Sequence, residues 1–598
     1  MYNPLNKFYK SITGAVPENK EIVFNVKANF KKLYFVYYKD GENNNTFVEM
    51  QKESDYFTIS IAFKTGLYFY YFKNEKDEYI SKSEKSFNAQ ISSNIHEYQL
   101  SVFSSDYNVP NTIKGGIIYQ IFPDRFCRTE SLNTNVKNRI FHENVKDIPI
   151  FEPNENGKVL NNDFYGGNIK GIISKIKYLK NLGVTTIYLN PIFKAYSNHR
   201  YDTGDYYKID ETLGTLDDFK LLIKSCHKNG IKIILDGVFN HTGDDSIYFN
   251  KYNNYDNIGA YNSIDSPYYK WFNFEEHPYK YQSWWGITTL PTTNKNSDFI
   301  EFIAGDDGVV SHYVKLGIDG FRLDVVDELP KVFVQKIRSS LKKYNKNAIL
   351  IGEVWEDASN KIAYDVRREY FLGKELDSVM NYPLKDAIIQ YVLTANSFPL
   401  KEALDTLIDH YPKQVLDSLM NMLSTHDTVR ILSALSGCDY KNKTKNELST
   451  FKIYGDKLNN AFIKLKIATT LQFTLPGVPS IYYGDEIGMQ GFKDPLNRMF
   501  FEWEKVNNKF YRFYKKLCCI RNNFNAFYDG KFTEIYAKNG AFIFKREHKS
   551  NEILVITNAG KKQITISFKG KLKNLLNNKI YGHKIVAKEN FVGIFVNE

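Results

Sequence analysis

One short pattern recurs three times in this chain and constrains its fold more than any other feature. An amphipathic segment closes on lysine, a glycine follows within three residues, and a β-branched residue then opens an apolar run. The copies are KNLGVTTIYLNP from Lys180, KNGIKIILDGV from Lys228 and KLGIDGFRLDVV from Lys315. Lysine suits the negative end of a helix, and glycine adopts the left-handed conformation that closes it. The run that follows predicts a buried strand. Before Gly183, Ile169, Ile172, Ile173, Ile176 and Leu179 share one helical face. The next helix opens at Thr215 with Asp218 three residues on, the arrangement of a capping box.

Spacing turns this pattern into an architecture. Gly183 to Gly230 is 47 residues, one βα unit, whereas Gly230 to Gly317 is 87 and leaves room for an excursion after the third strand. Further strands are expected at 347–353, 377–382, 419–425 and 473–483, and IIYQIF supplies an opening one. Eight βα units with an insertion describe a multidomain α/β chain built on a TIM (β/α)8 barrel. Outside it the pattern changes to short alternating strands, EIVFNVKA, KLYFVYYK, YFTISIAF and GLYFYYFK before the barrel and AFIFKRE, EILVITNA, QITISFK and FVGIFVN after it. The expected domains are an N-terminal β-sandwich over 1–112, the barrel over 113–525 with an inserted domain at about 242–298, and a C-terminal β-sandwich over 526–598.

Composition excludes several classes. No run of about 18 apolar residues exists, so no membrane helix is expected. The N-terminal MYNPLNKFYKSITGAV lacks a signal's apolar stretch, which predicts a cytoplasmic protein. The net charge of +11 raises the question of nucleic acid, but the lysines are scattered singly and form no basic stripe. Five cysteines, Cys127, Cys226, Cys438, Cys518 and Cys519, show no CxxC spacing and read as reduced thiols, with no zinc site. With 44 Tyr and 44 Phe, the chain has aromatic faces to spare for stacking on sugar rings, although most must fill cores.

In a TIM barrel the active site lies at the C-terminal rim of the strands. Asp236, Asp324 and Glu353 end strands three, four and five, and Asp427 follows strand seven, so all four acids are expected to face one cleft. A lone rim aspartate often only caps a helix; four of them, interleaved with His241, Arg322 and His426, point to chemistry. Asp324 and Glu353 come from neighbouring strands, close enough for the roughly 5–5.5 Å separation of a retaining glycosidase.

The motifs YQIFPDRF (119–126), DGVFNH (236–241), GFRLDVVDE (320–328), GEVW (352–355), STHDTVR (424–430) and GVPSIYYGDEIGMQG (477–491) carry a resemblance to the α-amylase superfamily, glycoside hydrolase family 13. Within it the chain resembles the neopullulanase, cyclomaltodextrinase and maltogenic amylase group. The resemblance implies a retaining hydrolase of α-1,4-glucosidic bonds in maltooligosaccharides, cyclodextrins, pullulan or starch. It makes Asp324 the nucleophile, Glu353 the acid/base and Asp427 the residue that grips the 2- and 3-hydroxyls of the distorted sugar. Arg322 would keep Asp324 ionised, and His241 and His426 would bond hydroxyls beside the cleaved bond. Tyr201, in SNHRYDTGDYYKID, would stack under that sugar, with Asp202 and Arg498 as supporting polar contacts.

Departures from the family pattern bear on specificity and metal. Ordinary α-amylases carry Lys-His three and four residues after the nucleophile; here stand Asp327 and Glu328, similar to the Asn-Glu of the neopullulanase group. LPTTN (290–294) resembles that group's MPKLN with Thr293 for Leu, and differs from the QPDLN of oligo-1,6-glucosidases, which disfavours pure α-1,6 specificity. The group's calcium loop is replaced by CRTE (127–130) and GGN (166–168), with Arg128 where a ligand belongs. No cofactor is therefore expected to be required, structural calcium stays open, and Asn240 is the one weak metal candidate. The aromatic segments YYKWFNF (268–274) and YQSWWG (281–286) either narrow the cleft or form a small core of their own. A transglycosylating 4-α-glucanotransferase, an α-amylase preferring long starch and a non-catalytic binding relative are the alternatives. The N-terminal sandwich would bind starch or join two copies in a homodimer; neither membrane nor nucleic acid is an expected partner.

Overall fold

The computed structural model describes residues 1–129, 136–155 and 157–598. Eight parallel strands form its centre: β1 (Ile118–Ile121), β2 (Thr186–Leu189), β3 (Lys232–Gly237), β4 (Gly320–Leu323), β5 (Ile349–Gly352), β6 (Ser378–Val379), β7 (Met420–Met422) and β8 (Val478–Tyr482). Hydrogen bonding runs in the order β6-β5-β4-β3-β2-β1-β8-β7, and a parallel bridge between Met380 and Met420 closes the ring. The barrel is the one the repeated pattern demands. Gly183 and Gly317 close their helices at φ 105° and 109°, and Thr215 and Asp218 form the capping box.

Alternation along each strand divides two cores. Ile118, Tyr188, Ile234, Ile349, Ile351, Met420 and Val478 point inward and fill the barrel. Ile187, Ile233, Leu235, Phe321, Leu323 and Leu350 point outward beneath the helices. On β4 this leaves Gly320 and Arg322 facing inward, and so a buried guanidinium lies at the top of the barrel interior.

Two local expectations need correction. The isoleucine-rich helix before Gly183 is two short helices, Ile169–Ser174 and Ile176–Leu182, broken at Lys175. The Ser174 hydroxyl donates to the Gly171 carbonyl at 2.7 Å, a local bond that competes with helix continuation. The strand expected from 473 starts at 478, because the helix Gly455–Thr474 runs on until Pro476 forbids it.

The N-terminal residues form a seven-stranded sheet facing a three-stranded one across a core that includes Phe24, Phe35, Tyr70 and Phe72. The C-terminal strands make one six-stranded antiparallel network that packs Phe542, Phe544 and Val555 against the barrel layer. Its other face encloses Ile543, Leu554, Ile556, Ile585 and Phe595, so the expected sandwich is a single sheet curled over its own core. Between β3 and β4, Trp271 and Phe272 are buried while the pair Trp284–Trp285 lies at the cleft. The first segment therefore contributes to a small buried core, and the tryptophan pair of the second lines the cleft. Among the described residues, all five cysteines are free, and no helix is long and apolar enough to cross a membrane.

A buried ion pair fixes the N-terminal module to the barrel. Lys10 donates to Asp409, on the helix Phe398–His410, at 2.7 Å, with both side chains wholly buried. Lys10→Met leaves Asp409 buried without its counter-charge and is expected to cost about 3–5 kcal/mol, read as a fall in Tm. Adding Asp409→Asn should recover much of the loss; a Lys10→Met Tm equal to the parent's would show that the pair carries no such role.

Candidate active site

Strand register assembles the site. Asp236 on β3 lies beside Arg322 on β4, and Leu323 lies beside Gly352 on β5. One residue further, the Asp324 amide donates to the Gly237 carbonyl at 3.1 Å and the Glu353 amide to the Leu323 carbonyl at 3.1 Å. Two acids thus leave adjacent strand ends side by side. The Arg322 guanidinium, 1% exposed, joins them: Nη1 contacts Asp236 at 2.6 Å and Asp324 at 2.9 Å, and Nη2 lies 2.8 Å from Glu353. Val325, directly after Asp324, has φ 39° and ψ 52°, a conformation that β-branched residues avoid. It aims the Val325 amide at Glu353, 3.0 Å away, while the Trp355 indole donates to the other Glu353 oxygen at 3.2 Å.

One cation among these acids leaves the cluster short of positive charge. Burial raises the Asp324 pKa well above the usual carboxylate range; Arg322 opposes this, and the charges of Glu353, Asp236 and Asp427 add to it. Arg322 does favour ionised Asp324, as expected of it, but its guanidinium is shared among three carboxylates. Burial likewise pushes the Asp427 carboxyl up to about 7, against the pull of Arg498.

An expectation of position is also corrected. Asp324, Glu353 and Asp427 line an open cleft of ≈1550 Å³, but Asp236 lies beneath its floor, 1% exposed. It accepts hydrogen bonds from the hydroxyls of Tyr188 (2.7 Å) and Tyr201 (2.8 Å) as well as from Arg322.

Tyr201 in turn sets the tautomer of His426. The Gln120 amide lies 3.0 Å from His426 Nδ1, and the Tyr201 oxygen lies 2.5 Å from Nε2. Since the Tyr201 proton goes to Asp236 and the Gln120 amide is a donor, Nε2 carries the imidazole hydrogen. It also lies 3.1 Å from Asp427. Burial lowers the pKa of His426 well below its ordinary value and that of His199 and His241 to about 3, so all three are neutral. His241 stacks on Trp284 with ring centroids 5.2 Å apart, and its ring nitrogens, though beside the cleft, have no well-aligned hydrogen-bond partner among the described residues.

The remaining expected residues reach the same cleft. Arg498 donates to the His426 carbonyl at 2.9 Å, and its ion contacts reach Asp427 at 3.4 Å and Asp494 at 2.7 Å. Asp202 takes both its hydrogen bonds from Ser197, so it does not pair with Arg498, and burial raises its pKa to about 6. Glu328 accepts from the indoles of Trp284 (2.9 Å) and Trp285 (3.1 Å) and from the Asn240 amide (3.2 Å). Asp327 turns aside to the Tyr370 hydroxyl at 2.6 Å.

The donors do not fit a divalent cation at Asn240. The Lys295 ammonium sits 2.6 Å from its side-chain oxygen and 3.1 Å from its carbonyl, with a pKa that burial lowers to about 8. At the other candidate loop, Arg128 donates to the carbonyls of His142 and Glu143, and Asn168 caps the helix that begins at Ile169. Glu130 of that loop lies outside the described residues.

Sequence reasoning assigned no role to Tyr188, Gln120 or Trp355. Tyr188 and Gln120 sit at the rim ends of their strands, and Trp355 follows Glu353 by two residues, so strand phase could have found them. Tyr364 on the cleft wall had no such signal. The electrostatics make a testable statement. With its pKa raised, Asp427 contributes stability fully present below the unfolded value of about 3.9 and lost as pH rises through about 7. Asp427→Asn escapes that loss, so its Tm should gain on the parent's from pH 5 to pH 8. A difference independent of pH would contradict the assignment.

Comparison with known proteins agrees with this geometry. Residues 120–519 match the family described as Alpha amylase, catalytic domain. The chain is 32% identical over 641 aligned residues, 94% of its length, to an amylopullulanase of Thermoanaerobacter thermohydrosulfuricus, of which it spans 42%. It spans less than half the length of the amylopullulanases it matches. It is 34% identical to a cyclomaltodextrinase of Thermoanaerobacter pseudethanolicus, over 86% of this chain and 83% of that one. Among solved structures, the type III pullulan hydrolase from Thermococcus kodakarensis superposes with a TM-score of 0.70 at 25% identity, covering all of both chains. The match over 120–519, the barrel and the identity to these relatives together place the chain in the alpha-amylase family, whose catalytic domain it contains.

Proposed function

We propose that the protein hydrolyses α-1,4-glucosidic bonds in maltooligosaccharides, cyclodextrins, pullulan or starch, with retention of anomeric configuration. One observation carries the reading: Arg322 holds the carboxyl groups of Asp324 and Glu353 on a single guanidinium, at the floor of a cleft lined by aromatic rings and hydroxyl-binding groups. Two carboxyls that close suit a covalent route better than one with water between them. Relatives named cyclomaltodextrinase, neopullulanase and maltogenic alpha-amylase support the substrate class.

In this reading Glu353 protonates the glycosidic oxygen while an Asp324 oxygen attacks the anomeric carbon, so that carbon exchanges its bond to the leaving sugar for an ester bond. Glu353, now ionised, takes a proton from water, which attacks the same carbon and frees Asp324. Asp427 and the neutral His241 and His426 bind hydroxyls of the distorted ring, contacts that strengthen as positive charge develops on the sugar. Asp327 and Glu328, three and four residues after the nucleophile, supply acids where ordinary α-amylases have Lys-His, which favours short or cyclic substrates over long starch chains.

Asp324→Asn should retain the fold and lose turnover of maltotriose by at least about 10⁴-fold. Side-by-side specificity constants should place maltodextrin, cyclodextrin or pullulan above soluble starch. Substantial turnover by that variant, or a net inversion of the released anomer, would refute the mechanism; transfer to a second sugar at early times would favour a glucanotransferase. The place of Lys295 supports a chain that needs no calcium at Asn240. Prolonged EDTA is then expected to leave Tm and activity unchanged, whereas a fall restored by calcium would show that other oxygens hold an ion.

A further inference from the structure

Between Glu353 and β6 the chain makes a small hairpin, Ile362–Ala363 paired with Val366–Arg367, whose tip carries Tyr364 and Asp365 at φ 53° and 58°. Lys361, Ile362, Ala363 and Tyr364 form part of the cleft wall. Nothing intrinsic fixes this hairpin. Two-residue strands are too short to hold themselves, and side chains at left-handed φ favour other conformations. Of its apolar residues only Ala363 is buried: Ile362 is 56% exposed, Tyr364 66% and Val366 51%.

Polar ties at the hairpin's base hold it, and they come from two directions. From the barrel, Arg368 donates to the Leu329 carbonyl at 3.0 Å and to that of Asp327, and Lys361 pairs with Asp327 at 3.4 Å. From the N-terminal module, Asp40 takes a two-pronged ion pair from Arg367, at 2.8 and 3.1 Å. Buried Gln99 completes this side, donating to the Ser359 hydroxyl at 3.0 Å and accepting from the Asn360 amide at 2.8 Å. Glu328, bonded to Trp284 and Trp285, lines the same cleft as Tyr364, whose pKa is raised first by burial and then by Glu328. Trp285 is itself 81% exposed. Two open aromatic side chains, Tyr364 and Trp285, thus line the same cleft as Glu328 and Glu353.

We infer that the N-terminal module is a specificity element of the cleft: through Asp40 and Gln99 it positions the 361–367 hairpin so that Tyr364, which lines the same cleft as Trp285, binds the leaving α-glucan segment on the acceptor side. This rests on the α-glucan reading above. Asp40 and Gln99 touch no substrate and act as positioning residues. Their loss therefore matters only for substrates that have sugars on the acceptor side.

The experiment compares maltohexaose with α-maltosyl fluoride, whose leaving group is one atom and needs no acceptor-side contact. Asp40→Ala is expected to lower kcat/KM for maltohexaose about 3- to 10-fold, with the fluoride value unchanged. Adding Asp40→Ala to Tyr364→Ala should cause no further loss, because the ion pair acts through that ring. Exchanging the charges, with Asp40→Arg and Arg367→Asp together, should restore much of the maltohexaose value. Equal loss on both substrates would overturn the inference in favour of a general effect on the fold, as would no loss on either or a fully additive double variant. Should the parent protein turn over neither substrate, the α-glucan reading itself fails; a parent active on both with an unaltered Asp40→Ala removes the inference alone.

Discussion

Arg322 is the interaction on which the rest of the site depends. It occupies the inward phase of β4, buried among apolar side chains, and a guanidinium there is tolerable only because acids surround it. Those acids must come from the strands on either side: Asp236 from β3 and Glu353 from the end of β5, with Asp324 two residues along its own strand. The requirement to neutralise one buried cation therefore fixes the spacing of the acids that the proposed chemistry needs. Burial and the neighbouring carboxylates raise the Asp324 pKa against the pull of that one cation, so the acids of the site do not ionise independently.

Around this cluster the polar groups form ordered layers rather than a pool. Asp236 anchors Tyr188 and Tyr201 from below, Tyr201 fixes His426, and Arg498 ties the His426 carbonyl to Asp427. Tyr201, His426 and Asp427 are thus each held by a defined polar neighbour, which limits reorganisation when a sugar enters. Val325 adds a local element, since its left-handed backbone spends conformational energy to turn an amide toward Glu353.

The walls of the cleft come from three parts of the chain. The barrel loops give the floor, the segment between β3 and β4 gives Trp284 and Trp285, and the 361–367 hairpin gives Tyr364 on a base shared with the N-terminal module. The acids of the proposed chemistry therefore stand at strand ends, and the cleft's aromatic walls on loops, one of which is tied to the N-terminal module. The lysine at Asn240 follows the same logic, since a covalently tethered cation ties the inserted segment to β3's loop where a bound ion could have done so.

Much of this was legible in the sequence because it follows from local periodicity. Lysine, glycine and β-branched residues at fixed offsets specify helix end, turn and strand whatever surrounds them, and alternation along a strand decides which side chains face inward. That logic places Arg322, Asp324, Glu353 and Asp427 on one rim. It could not separate Asp236, one layer down, from the acids above it, because depth in a barrel depends on the stagger between strands. It paired Arg322 with Asp324 but could not show that Asp236 and Glu353 share the same guanidinium, because the number of carboxylates competing for a cation is a property of assembled neighbours. Nor could it connect Asp40 with Arg367 or Gln99 with Asn360, pairs separated by some 260 residues or more. Contacts of that kind leave no periodic trace in either segment. Sequence determined which groups reach the rim; tertiary structure decided which of them share charge, which stand open to a substrate, and which distant domain holds them there.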